Sequence, residues 1–135
     1  MKLEPNTKPA LLIVEDHDAL RTAMREWFAE LFPCVECHEA SSGEEAINTA
    51  KNLQPVVILM DIGLPGIDGI EAMKIIKNNG PDTKFVVLTI FEGDAYKRDA
   101  IEAGATAFVG KRDMYTELPL VLESILDCND ASAQR

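Results

Sequence analysis

The sequence predicts an α/β fold, a doubly wound parallel sheet built from five βα units in one domain. Two observations carry this. Four apolar runs rich in β-branched residues, Ala10 to Val14, Val56 to Met60, Phe85 to Leu88 and Thr106 to Val109, lack the polar alternation of half-exposed strands. Such runs are expected where helices cover both faces of a sheet. Helix-spaced apolar residues fill the intervals between the runs, so strand and helix alternate along the chain.

Taken in order, the run at Ala10 gives the first strand, and Leu20, Met24, Trp27/Phe28 and Leu31 give the helix after it. A weaker run, Cys34-Val-Glu-Cys37, is the second strand. The second helix carries Ala46, Ala50 and Leu53 and starts at Ser42-Gly-Glu-Glu45, a capping-box pattern in which the Ser oxygen and the Glu carboxylate accept orphan N–H groups. Ile70, Met73 and Ile76 mark the third helix, Tyr96, Ala100 and Ala103 the fourth, and Leu118, Val121/Leu122 and Ile125 the fifth. Gly80-Pro81 and Gly104 are stop signals.

A chain of 135 residues, 47% hydrophobic and 27% charged, has the composition of one soluble globular domain. Its formal net charge of −10 repels nucleic-acid phosphate and anionic membrane, so no direct nucleic-acid contact and no membrane association are expected. The first apolar run is too short for a signal-peptide core or a membrane span, which gives a cytoplasmic expectation. Three cysteines, an odd number, argue against a disulfide framework. Cys34 and Cys37 have metal or redox spacing, but on a strand that separation sends them to opposite faces, so the pair reads as structural.

In an open parallel sheet ligands bind along the C-terminal strand edge, where the strand order reverses. Strand 1 delivers Glu15 and Asp16 to that edge, strand 3 Asp61, strand 4 Thr89, and strand 5 Gly110 and Lys111. One such residue alone reads as a cap or a turn former, yet four strand ends with complementary chemistry do not. Three carboxylates in one cleft repel one another, so a cation belongs in the design. Hard oxygen ligands suit Mg²⁺, and His17 is expected to face solvent. No glycine-rich phosphate loop follows strand 1, which removes nucleotide binding. A carboxylate can itself be the nucleophile in phosphoryl transfer, and Asp61 is the candidate. A Mg²⁺-dependent phosphohydrolase is the enzymatic alternative, but such enzymes carry an acid two residues after the nucleophile, where this chain has Gly63. A module that binds partners without phosphorylation is the other alternative, and the intact polar set argues against it.

Leu12-Ile-Val-Glu-Asp16, Met60-Asp-Ile-Gly-Leu-Pro-Gly-Ile-Asp-Gly69, Leu88-Thr89 and Ala103-Gly-Ala-Thr-Ala-Phe-Val-Gly-Lys111 together resemble the receiver domain of two-component response regulators. The resemblance covers residues 9–127 and implies a flavodoxin-like sheet of strand order 2-1-3-4-5. It divides the chain into an extension (1–9), a receiver (10–128) and a polar tail or linker start (129–135). It implies that Asp61 accepts a phosphoryl group from the phosphohistidine of a sensor histidine kinase or phosphotransfer protein. Asp16, Asp61 and the backbone carbonyl of Gly63 would hold Mg²⁺, with Glu15 acting through a metal-bound water. Thr89 would donate its hydroxyl to the phosphoryl group, Lys111 would pair with it, and Phe108 would be the rotameric aromatic coupled to Thr89. Activation would act through a face of helix 4, strand 5 and helix 5, with a possible homodimer there.

The pattern from Ile62 to Glu71 further resembles receivers that precede a helix-turn-helix DNA-binding domain, so an output domain controlling transcription is expected in the parent protein, with a stand-alone receiver as the alternative. The chain departs from the family pattern in two places. Glu15 stands where Asp is commoner, and Ile90 where a small residue is usual. Gly63 and Phe91, the two positions that gate water in this family, pull in opposite directions, the glycine opening the site and the aromatic shielding it. Receivers also usually have a cis bond after the lysine, commonly before proline, and a cis Lys111–Arg112 bond is the matching expectation.

Overall fold

The computed structural model describes residues 8–126. Five parallel strands, β1 (Ala10–Val14), β2 (Glu36–Ala40), β3 (Val57–Met60), β4 (Lys84–Thr89) and β5 (Ala107–Gly110), lie in the order β2-β1-β3-β4-β5. Helices α1 (Asp18–Leu31), α2 (Gly43–Leu53), α3 (Gly69–Asn79), α4 (Asp94–Glu102) and α5 (Met114–Leu126) follow the strands in turn. This is the architecture expected from the sequence.

Period-two alternation along each strand sorts the apolar residues into two cores. Leu12, Val14, Ile58, Met60, Phe85 and Val87 face α2, α3 and α4, where they meet Ala46, Ala50, Ala72, Met73, Ile76 and Ala100. Leu11, Ile13, Val57, Leu59, Val86, Leu88 and Val109 face α1 and α5 and pack on Met24, Phe28, Leu118 and Leu122. Both faces of the central strands are therefore dry, which is why their sequences read as unbroken apolar runs.

Three expectations change. The second strand starts at Glu36 rather than Cys34: it is the sheet edge, paired only with β1, so it needs no apolar run and carries Glu-Cys-His-Glu-Ala. Cys34 falls in the preceding turn and is disulfide-bonded, although the odd cysteine count argued against a disulfide framework. Cys37 is a free, half-buried thiol whose pKa burial raises. Tyr96 does not line the core, since Ala100 alone is buried on α4.

The second helix opens as expected at Ser42, whose Oγ accepts the Glu45 N–H at 3.0 Å. The Glu45 carboxylate reaches one residue further back than a standard capping box, accepting both the N–H (2.7 Å) and the hydroxyl (2.9 Å) of Ser41. These bonds hold the Glu45 pKa below its ordinary value. Among the described residues no helix is long and apolar enough to cross a membrane. The extension up to residue 7 and the tail 129–135 lie outside the described residues.

Candidate functional site

Strand register builds the site. Val14 pairs with Met60, Met60 with Val87, and Thr89 with Gly110, so the residues at the C-terminal ends of β1, β3, β4 and β5 arrive at one level. Glu15 and Asp61 are the first residues past β1 and β3. Their N–H groups continue the ladder to Ala40 O (3.1 Å) and Val14 O (3.2 Å), which fixes both side chains at the crevice where the order reverses.

Lys111, the first residue past β5, extends its ammonium across this crevice. Its Nζ donates to Glu15 Oε1 at 2.8 Å and to Asp61 Oδ2 at 3.2 Å. Glu15 is 1% exposed and Asp61 8%. Burial disfavours the ammonium, but its hydrogen bond to Glu15 and the charges of Asp61 and Glu15 outweigh it and raise the Lys111 pKa. The other Asp61 oxygen accepts the Gly63 N–H at 2.9 Å, and the other Glu15 oxygen accepts the His17 N–H at 3.1 Å. Thr89, fully buried, accepts the Phe91 N–H at 3.2 Å on Oγ1. Its hydroxyl hydrogen remains available to a ligand.

Asp16 is exposed at the rim. Glu15, Asp16 and His17 each offer a metal-ligand atom within 4.8 Å of the others. His17, expected to face solvent, does so, yet joins this group, whereas Asp61 stands next to it through Lys111. Glu15, Asp16 and Asp61 set three carboxylates against the one ammonium of Lys111, and their hard oxygen donors fit a divalent cation such as Mg²⁺.

Among the described residues no peptide bond is cis, so Lys111–Arg112 is trans, against expectation. With Arg112 in place of proline the trans form is favoured by about 3–4 kcal/mol. A 3₁₀ turn over Lys111–Asp113 redirects the chain instead.

Sequence reasoning missed several supports. Arg21 donates to the Glu15 carbonyl at 2.7 Å, to Glu39 at 2.9 Å and to Asp18 at 2.8 Å; burial opposes its charge, but the two carboxylates raise its pKa. The i,i+3 spacing to Asp18 was visible in the sequence; the partner on β2 was not. A Cβ at Gly69 would lie 2.6 Å from Ile62 Cα and would collide with the Asp61 carbonyl, so glycine lets α3 approach the backbone of Asp61 and Ile62. Glu92 pairs with Arg112 at 3.5 Å, linking the loops after β4 and β5. Phe108 is half-buried and packs on the core beneath α4.

The sequence pattern of the response regulator receiver domain matches residues 11–122. The chain belongs to the response-regulator receiver family. This receiver is 37% identical over 101 residues to the response regulator GacA of Pseudomonas viridiflava, covering 75% of this chain and 47% of that protein. It is 39% identical over 109 residues to the transcriptional regulatory protein LiaR of Bacillus subtilis, covering 80% and 51%. A LuxR-family two-component response regulator from Aurantimonas sp. SI85-9A1 superposes with a TM-score of 0.82 at 30% identity, covering 90% of this chain and 86% of that one. The chain spans about half the length of the curated relatives it matches. Family members are signalling switches phosphorylated on an aspartate rather than conventional enzymes.

Proposed function

We propose that Asp61 is the phosphoacceptor of this receiver and that the domain relays a sensor kinase's signal by changing shape. The observation that supports it best is the convergence of Glu15 and Asp61 on Lys111 Nζ, beside the buried Thr89 hydroxyl. An Asp61 oxygen attacks the phosphorus of a phosphohistidine, and the P–N bond breaks with its electron pair leaving on the imidazole. The new phosphoryl oxygens then lie where Lys111, already in the crevice, can pair with them and where Thr89, drawn inward, can donate to them. Gly63 N–H holds the carboxylate's other oxygen through the transfer.

Asp16 and Asp61, with the Gly63 carbonyl, would hold Mg²⁺, and Glu15 would act through a metal-bound water. When bound, the ion supplies the positive charge that offsets the phosphoryl group. The self-catalysed steps are phosphoryl transfer and autodephosphorylation. The phosphohydrolase alternative gains no support, because Gly63 provides no acid for a leaving group.

For output, the relatives carry the reading. GacA is a response regulator, LiaR a transcriptional regulatory protein, and a similar structure from Staphylococcus aureus (26% identity, TM-score 0.78) a LuxR-family DNA-binding response regulator. We infer a DNA-binding output domain in the parent protein, a cytoplasmic location with a sensor histidine kinase as donor, and a homodimer through α4, β5 and α5. Trp27 stacks on Phe28 at 4.8 Å and meets Tyr115 of α5 at 5.2 Å, so its emission reports on α5. Beryllofluoride with Mg²⁺ should change Trp27 fluorescence saturably in the wild type and not in Asp61→Asn. An equal response from the two proteins would reject Asp61.

A further inference from the structure

Phe91 and Gly63, opposed influences on the site when read separately, touch in the structure. A Cβ at Gly63 would collide with the Phe91 ring edge, and two further ring atoms lie at 3.3 and 3.4 Å from that position. The Phe91 ring thus rests directly on the residue whose N–H holds the Asp61 carboxylate. Its backbone is tied from the other side, by the N–H donated to Thr89 Oγ1. On its outer side the ring is held by Tyr96 of α4, stacked at 5.3 Å between centroids with 28° between planes. Tyr96 in turn rests against Gly93, where a Cβ would lie 3.6 Å from Tyr96 Cδ2. Phe91 and Tyr96 are 39% and 45% exposed, so the stack is an outer layer and not part of the core.

We propose that Tyr96 is a positioning residue for hydrolysis at Asp61: by stacking on Phe91 it holds that ring over Gly63 and shields the phosphorylated aspartate from attacking water. This rests on the Asp61 assignment made above. In hydrolysis a water oxygen bonds to phosphorus, the P–O bond to Asp61 breaks with its electron pair returning to the carboxylate, and the water proton leaves on inorganic phosphate. An aromatic ring at the approach offers water no hydrogen-bond partner and occupies the space beside Gly63. Tyr96 is exposed on α4, so a partner that covers it would change the lifetime of the phosphoryl group.

The experiment phosphorylates the full chain with acetyl phosphate and Mg²⁺, removes the donor, and follows decay by intact mass. Loss of one aromatic stacking contact shifts a closed-to-open equilibrium about 2- to 10-fold. Decay in Tyr96→Ala should quicken by that factor, stay near wild type in Tyr96→Phe, and quicken at least as much in Phe91→Ala. In the Phe91→Ala background, Tyr96→Ala should add nothing. An unchanged lifetime in Tyr96→Ala, or the same acceleration with and without Phe91, overturns the proposal. Wild-type protein that takes up no phosphate overturns the Asp61 assignment instead, and the proposal with it, a failure of uptake distinguishable from a failure in decay. Stability measures the contact independently: Gly63→Ala should destabilise the wild type and lose at least half that effect in Phe91→Ala. Equal losses in both backgrounds would contradict the ring-on-glycine geometry.

Discussion

Glu15 holds Lys111 more closely than Asp61 does, 2.8 Å against 3.2 Å, and Glu15 is the more buried of the two carboxylates. The lysine proposed to meet a phosphoryl group on Asp61 is therefore kept in the crevice by the residue that follows β1. The extra methylene of Glu15 relative to aspartate is one means by which that carboxylate reaches across.

Removing one partner of a buried pair leaves an uncompensated charge and costs about 3–5 kcal/mol. Lys111→Met should therefore destabilise the metal-free domain by about 3 kcal/mol, the lower end because the lysine keeps some solvent contact. Glu15→Gln/Lys111→Met should recover most of it. Because the folded pKa of Lys111 is raised, its contribution is complete below the unfolded value near 10.5 and is lost as pH rises through the folded pKa. Urea midpoints at pH 7 and at rising pH above 10.5 check both statements: the gap between wild type and Lys111→Met should narrow only in the latter range.

The folded pKa of Glu45 is lowered, so the sign reverses. Stability from its bonds to Ser41 is present above the unfolded carboxylate pKa and lost as pH falls through the folded one. Glu45→Gln should cost about 0.5–1 kcal/mol at pH 7, a capping-scale effect, and approach zero once the pH falls below the folded pKa of Glu45. Thermal melts across that range measure it.

Gly69→Ala places a methyl group against Asp61 and Ile62 backbone, a form of overpacking that costs about 1–3 kcal/mol. Relief by moving α3 would also displace Asp61. The variant should lose phosphate uptake at temperatures where circular dichroism still shows it folded.

Thr89 is fully buried and anchors the Phe91 backbone, while Phe108 sits half-buried on the neighbouring strand. Phosphorylation is expected to draw Thr89 toward Asp61 and let Phe108 turn inward, shifting a pre-existing equilibrium. Thr89→Ala should still accept phosphate but fail to self-associate with beryllofluoride and Mg²⁺ under sedimentation, whereas the wild type should associate. Association of Thr89→Ala to the same extent would remove Thr89 from the coupling.

How much of this was legible depended on whether a residue's role was set locally. Runs such as Leu11 to Val14 and Val57 to Met60 announced themselves because both faces are covered, and their ends located Glu15 and Asp61 without any structure. The edge strand did not, since Glu36–Ala40 answers to one neighbour and to solvent. Helical spacing marked Tyr96 on the fourth helix, but periodicity cannot tell a core contact from a ring stacked on Phe91. Arg21 was invisible as a support because Glu39, its strand partner, lies 18 residues away. The backbone after Lys111 was misjudged because the family habit depends on a proline this chain lacks.

The most direct measurement is the intact mass of the wild type and Asp61→Asn after incubation with acetyl phosphate, with and without Mg²⁺. The wild type should gain the mass of one phosphoryl group, acid-labile in character, only with Mg²⁺, and Asp61→Asn should gain none. An acid-labile phosphoryl adduct of the same yield on Asp61→Asn would contradict the account.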